Sequence, residues 1–184
     1  PRLVELFKRE ADAVMPGSML LAMKDGVLTP AAGIDLSNTE NGSAILWPIK
    51  AEKEAQLIRS FFMKKFRLRK FGVVIADSRC TPLRWGTTGL ALAWAGFEGV
   101  EDVRGQRDLY GNPLLVTRKA VADNLSSAAL LLMGEGDEQT PFVLVRSAPV
   151  KFTNRQTSQS KLKMKPSECI FEGIYSKKFI DMVE

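Results

Sequence analysis

The 184 residues suffice for one substantial domain, with 45% hydrophobic and 26% charged residues, an ordinary globular balance well away from disorder. There is no histidine, which removes Ser-His-Asp and Cys-His triads and histidine-ligated zinc, and the two cysteines, Cys80 and Cys169, make neither a disulfide framework nor a thiolate metal cluster. A net charge of +5 points to an anionic partner, and the apolar runs are too short to cross a bilayer, so a cytoplasmic protein with no membrane association is the expectation.

In chain order, Leu3, Leu6, Phe7, Ala11 and Val14 share a helical face, predicting a helix from Pro1 to Val14 that breaks at Pro16-Gly17. Ser18 to Met23 and Gly26 to Leu28 read as strands joined by a turn at Lys24-Asp25-Gly26. A polar loop, Pro30 to Gly42, leads to a short strand from Ala44 to Trp47. Ala51 to Phe66 is a helix, with Ala55, Ile58, Phe62 and Phe66 on one side. Phe71 to Ala76 is a continuous apolar strand, expected to be buried on both faces and to end at Asp77. The small-residue segment WGTTGLALAWAGFEG suits close backbone packing as strand, helix or both, and Asp102 to Asn112 is a charged loop turning at Tyr110-Gly111-Asn112. Thr117 to Met133 is the clearest helix, stopped by Gly134. Phe142 to Arg146 reads as a strand, Val150 to Pro166 as a mobile basic loop, and Cys169 to Val183 as a strand and a short helix. Helices and strands intermix without regular βαβ alternation, so the fold class is α+β: mixed sheets with packed helices in one domain spanning residues 1–184.

The chemistry available is that of carboxylates, hydroxyls, Lys, Arg, backbone amides and hard metal ions. Acidic or hydroxyl groups sit beside bending backbone in four places: residues 31–38, 73–78, 102–111 and 131–138. An Asp at the end of a buried strand is held rigidly, as a hard cation requires of its oxygen ligands; Asp77 fits, and Ser78 adds a hydroxyl. Asp35 lies in a second glycine-bearing turn and Glu135 in a third, where Gly134 and Gly136 allow backbone amides near an anion. Three acids on separate loops with glycine-rich backbone suit magnesium and polyphosphate. Each residue also has a plain structural reading. Asp35 is then a turn residue, Asp77 a cap, and Glu135 a solvated acid after the helix stop at Gly134. Met133, Trp47, Trp85 and Trp94 read as core or interface. The basic cluster Lys64, Lys65, Arg67, Arg69 and Lys70 reads as a solvated helix end, which makes nucleic acid an unlikely partner.

Four stretches, AGIDLSN (32–38), VVIADSRCTPLRWGTTG (73–89), RGQRDLYGNPLLVTRKAVADNL (104–125) and AALLLMGEGDEQTP (128–141), resemble the coenzyme F420:glutamate ligase family in order and near spacing. The resemblance implies an intertwined homodimer. It also implies a GTP-dependent γ-glutamyl ligase that joins L-glutamate to a carboxylate acceptor through an acyl phosphate, with two Mg2+ or Mn2+ ions. By motif position, Asp35 and Asp77 are catalytic and hold metal with Ser78, which stands where the family commonly has threonine. Glu135 holds the second metal, and Asn38, Met133, Gly134, Gly136 and Asp137 contact the nucleotide. Arg84 contacts phosphate or substrate.

Two departures stand out. The family usually reads Asp-Thr-x-Gly-Arg where this chain reads Asp77-Ser78-Arg79-Cys80-Thr81, in a turn near the acceptor, so a different carboxylate acceptor is an alternative. The family also begins with a further stretch that helps bind nucleotide, to which nothing here corresponds. A non-catalytic nucleotide- and metal-binding module is therefore the other alternative.

Overall fold

A computed structural model describes residues 2–17, 20–155 and 159–183, which form helices and small sheets of the expected α+β class. The residues group into two compact units. One comprises residues 1–49, 79–86 and 163–184, and the other residues 50–78 and 87–162.

In the first unit, α1 (Arg2–Glu10) is shorter than predicted. The chain leaves the helix because Asp12 donates its N–H to Met23 O at 2.8 Å, and Ala13–Val14 become a strand, β1. β1 pairs antiparallel with β2 (Leu21–Lys24), which pairs antiparallel with β3 (Val27–Pro30) in the register Lys24↔Val27. That register leaves Asp25 and Gly26 as a two-residue turn with φ of 49° and 70°, the mirror-image geometry an Asp-Gly pair favours. The predicted start of this strand, Ser18 and Met19, lies outside the described residues. Ala13, Ala22, Ala32 and Phe179 bury the unit's centre. Phe179 belongs to α4 (Lys177–Val183), the short helix expected near the C-terminus, which packs on β1. The strand expected alongside it is absent among the described residues; Glu172–Ile174 forms a 3-10 turn instead.

In the second unit, α2 (Ala51–Phe66) has the predicted bounds and ends on Arg67 in a left-handed conformation. Its basic end, Lys64 to Lys70, is exposed apart from the half-buried Leu68, as expected of a solvated helix terminus. β4 (Val73–Cys80) pairs with β5 (Thr87–Ala95). β4 begins later than predicted and continues through Asp77, so Asp77 lies within the strand. Its side chains are half-buried up to Arg79, whereas the strand buried throughout its later part is β5, from Gly89 to Ala95. Val73 and Ile75 pack with Ala51 and Ala55 of α2 against Ala93 and Ala95. Val74 joins Ala91, Trp94, Phe97 and Ala122. Alternation along β4 therefore feeds two cores, one under α2 and one under α3 (Val121–Met133). Trp94 and Phe97 are fully buried, whereas Trp85 is wholly exposed.

Two predicted elements change. The helix expected from Thr117 starts at Val121, because Arg118–Ala120 pair as β7 with β6 (Val100–Asp102). Phe142 to Arg146 forms no strand among the described residues; it lies with Phe142 and Leu144 exposed and no ladder partner to satisfy its backbone. Residues 156–158 of the predicted basic loop lie outside the described residues, and Phe152 before them bridges to Phe97.

α3 lies unusually close to β5. A Cβ on Gly89 would stand 2.2 Å from Ser127 N and 2.3 Å from Ser126 C, which no relaxed side chain permits. Ser127 Oγ accepts the Gly89 N–H at 3.1 Å, and the Asp123 carboxylate accepts the Ala91 N–H at 2.9 Å. Gly89→Ala is thus expected to lose about 1–3 kcal/mol of stability or more, read by denaturant unfolding. An unchanged midpoint would show that this contact is looser than the geometry implies.

Candidate functional site

The close docking of α3 determines where its C-terminus arrives. The helix ends at Met133, and Gly134 takes φ 74°, ψ −177°, a backbone conformation that a residue with a side chain resists. The Gly134 N–H still donates to Leu130 O, so the next residue, Glu135, starts from a fixed position. Its carboxylate meets the two paired strands. Ser78 Oγ of β4 donates to Glu135 Oε2 at 3.2 Å, and Thr87 Oγ1 of β5 donates to Glu135 Oε1 at 2.8 Å. Asp77 Oδ1 accepts the N–H of Ser78 at 2.8 Å, so the Ser78 backbone is held by its neighbour.

The loop after the helix carries its own anion. The Gly136 N–H donates to Glu138 Oε2 at 2.8 Å, and a Cβ on Gly134 would lie 2.0 Å from Glu138 Cδ. Of the two backbone donors expected to face an anionic ligand here, the Gly136 N–H thus holds a carboxylate of the same loop and the Gly134 N–H stays with the helix. Met133 is half-buried, and Asp137 is exposed.

In the other unit, three consecutive residues, Ala31, Ala32 and Gly33, have φ of 51°, 54° and 72°. Left-handed backbone at alanine costs roughly 1–2 kcal/mol per residue, so this turn is held by its surroundings, including the buried Ala32 and Ile34. It delivers Asp35, whose backbone exchanges two hydrogen bonds with Ile45 at 3.0 and 2.8 Å. The exposed carboxylate accepts from Ser37 N at 2.7 Å and from Ser37 Oγ at 2.9 Å. This is a turn in its own right, and Asn38 follows it in left-handed backbone with φ 50°. Arg84 is exposed on the turn after Leu83 (φ 56°). Among the described residues, Arg79 Nε is the one buried side-chain nitrogen or oxygen with no acceptor.

The structure therefore joins Ser78 and Glu135, both marked by the sequence, and sets Asp77 beside Ser78. Asp35, Asn38 and Arg84 belong to the other unit. Thr87 was not marked: the segment WGTTG offers two hydroxyls, and only the arrival of Glu135 selects the first.

The donor chemistry bears on metal. Among the described residues, no three acidic or thiolate side chains gather in one group. The set at the end of α3 is one carboxylate and two hydroxyls, all hard oxygen donors. That fits a small divalent ion that keeps most of its water and takes further oxygens from a phosphate, as magnesium does, better than zinc or a soft metal.

A family model described as F420-0:Gamma-glutamyl ligase matches residues 1–147. Curated relatives titled coenzyme F420:L-glutamate ligase are similar too. That of Methanococcus maripaludis (strain S2) is 35% identical over 157 residues, 84% of this chain and 62% of the relative. That of Methanopyrus kandleri is 37% identical over 154 residues, 79% of this chain and 59% of the relative. That of Halobacterium salinarum (strain R1) is 37% identical over 148 residues, 79% of this chain and 56% of the relative. The chain thus spans about six-tenths of the length of these relatives.

The Asp35 turn separates two roles by substitution. Asp35→Asn keeps an acceptor for Ser37 and is expected to leave the melting temperature nearly unchanged. Asp35→Ala removes it and is expected to cost about 1 kcal/mol by denaturant unfolding. Equal stability of the two variants would show that the turn does not need this acceptor.

Proposed function

We propose that this chain, which belongs to the F420-0:gamma-glutamyl ligase family, takes part in joining L-glutamate to a carboxylate acceptor such as the coenzyme F420 precursor, with GTP as co-substrate. The observation that carries this reading is the oxygen cluster Ser78–Glu135–Thr87 at the end of α3, inside two of the stretches that carry the family resemblance.

In the proposed reaction, the γ-phosphoryl group of GTP passes to an acceptor carboxylate oxygen, and GDP leaves. The amine of L-glutamate then attacks the acyl carbon. A C–N bond forms, the acyl C–O bond breaks, and inorganic phosphate departs with one former carboxylate oxygen while the amine gives up its proton. Mg2+ or Mn2+, when bound, would offset the charge that accumulates on the phosphates.

Each residue is given a role in this scheme. Glu135 and Ser78 would hold one ion through oxygen, with Asp77 a ligand from the same strand as Ser78. Asp35 is assigned to metal on its own unit, through the carboxylate lone pairs that its two Ser37 bonds leave open. Met133, Gly134, Gly136, Asp137 and Asn38 are assigned to the nucleotide. A phosphate taking the Gly136 N–H would displace Glu138 from it. Arg84, exposed and cationic, is assigned to phosphate or substrate. GTP as co-substrate sets the reaction in the cytoplasm.

A homodimer is part of this proposal. Leu131, Leu132, Phe142 and Leu144 are large apolar side chains exposed in one unit, and the segment 142–146, unpaired among the described residues, offers backbone for pairing. A second copy is the occupant the family resemblance implies. The acceptor is a further point. Arg79 stands in the altered sequence Asp77-Ser78-Arg79-Cys80-Thr81, whose first four residues belong to β4 where a turn was expected, and carries a buried donor without a protein acceptor. In the alternative reading, this donor meets a carboxylate acceptor other than the coenzyme F420 precursor.

Titration calorimetry of GTP and GDP, with and without Mn2+, tests the reading. GTP is expected to bind only with the ion, and Asp77→Asn is expected to abolish binding while circular dichroism shows the fold intact. Metal-independent binding, or none by a folded chain, would count against a nucleotide–metal site.

A further inference from the structure

We infer that Thr87 is a positioning residue for the Glu135 carboxylate, fixing it as an oxygen ligand for a hard divalent cation; this rests on the metal reading of the same site.

Glu135 is exposed and sits one residue beyond the helix stop, with a side chain of three rotatable bonds. Left alone, such a carboxylate samples many rotamers, and ordering it for a cation costs side-chain entropy. Here it is gripped at both oxygens by hydroxyls from neighbouring strands.

The two grips are not equivalent. A hydroxyl has one proton to donate and two lone pairs. Ser78 Oγ, at the longer 3.2 Å, can keep its proton on Glu135 while turning a lone pair to a cation. Thr87 makes the shorter contact, 2.8 Å, from a β-branched side chain whose χ1 is stiff and whose backbone is held in β5. Thr87 is two residues before Gly89, where α3 is closest, so the strand that seats the helix also anchors the carboxylate that follows it. Thr87 is thus the fixed point, with Ser78 and Glu135 the groups that meet the ion. Supporting hydrogen bonds of this kind typically govern metal affinity by about 10–100-fold.

The test uses the full chain and Mn2+ alone, followed by electron paramagnetic resonance of the free ion. Thr87→Val keeps shape and branching but removes the proton; Thr87→Ser keeps the proton. Thr87→Val is expected to bind Mn2+ about tenfold more weakly, with Thr87→Ser restored towards the unaltered chain and the metal-free melting temperatures alike. Unchanged Mn2+ affinity in Thr87→Val would overturn the inference while leaving the metal reading standing. Equal losses in Thr87→Val and Thr87→Ser would also overturn it, since shape rather than the hydroxyl would then matter. Absence of Mn2+ binding by the unaltered, folded chain would overturn the metal reading and this inference with it. Should Thr87→Val melt well below the unaltered chain, Thr87→Ala and Thr87→Ser titrated side by side decide by the same criteria.

Discussion

The candidate site depends on how closely helix α3 lies on strand β5 at Gly89. A glycine there removes the one atom that would hold helix and strand apart, and Ser127 and Asp123 then satisfy the β5 amides at Gly89 and Ala91 from the helix side. Ala91, Trp94 and Ala122 bury apolar surface along the same contact, which makes the close approach favourable rather than merely tolerated. Because the helix is rigid and its seat is fixed, its end is fixed as well. Gly134 can then turn the chain so that Glu135 meets hydroxyls of both β4 and β5. The site is a consequence of packing: no single loop builds it.

The other unit follows a different logic. There the backbone itself is unusual, with three successive left-handed residues ahead of Asp35, and the buried residues Ala32 and Ile34 stabilise that turn. Asp35 spends its carboxylate on Ser37, so its plain structural reading is realised in the geometry. Each carboxylate accepts one hydrogen bond on each oxygen and keeps further lone pairs for a cation; the difference is that Asp35 is held by a neighbour two residues away, whereas Glu135 is held by two strands.

Much of this was legible in the sequence where local chemistry decides the outcome. α2 runs from Ala51 to Phe66 as its periodicity predicts, and the Asp25-Gly26 pair forms the hairpin turn it favours. Gly134 ends α3 as a helix-stopping glycine should. Misreadings fall where tertiary pairing overrides local preference. Ala13–Val14 and Arg118–Ala120 continue helical patterns but are taken as strands by β2 and β6. Phe142 to Arg146 has the composition of a strand, yet composition supplies no partner, and the segment stays unpaired among the described residues. In the site, Ser78 and Glu135 were visible as residues beside bending backbone. Thr87 was not, because its role arises from a contact across 48 residues of sequence that only the fold creates.

The proposed function rests on one chemical idea, that the oxygen donors held at the end of α3 serve a hard ion and a polyphosphate. The mechanism built on it makes a specific claim about bonds, namely that the acceptor carboxylate is phosphorylated before the amine attacks. Labelling the acceptor carboxylate with heavy oxygen and following the label through one turnover, with GTP, Mn2+ and L-glutamate present, tests this most directly. The account predicts a new amide together with one labelled oxygen in each released inorganic phosphate. Amide formation with unlabelled phosphate would contradict the acyl phosphate route, and phosphate release without any amide would contradict the ligase assignment itself.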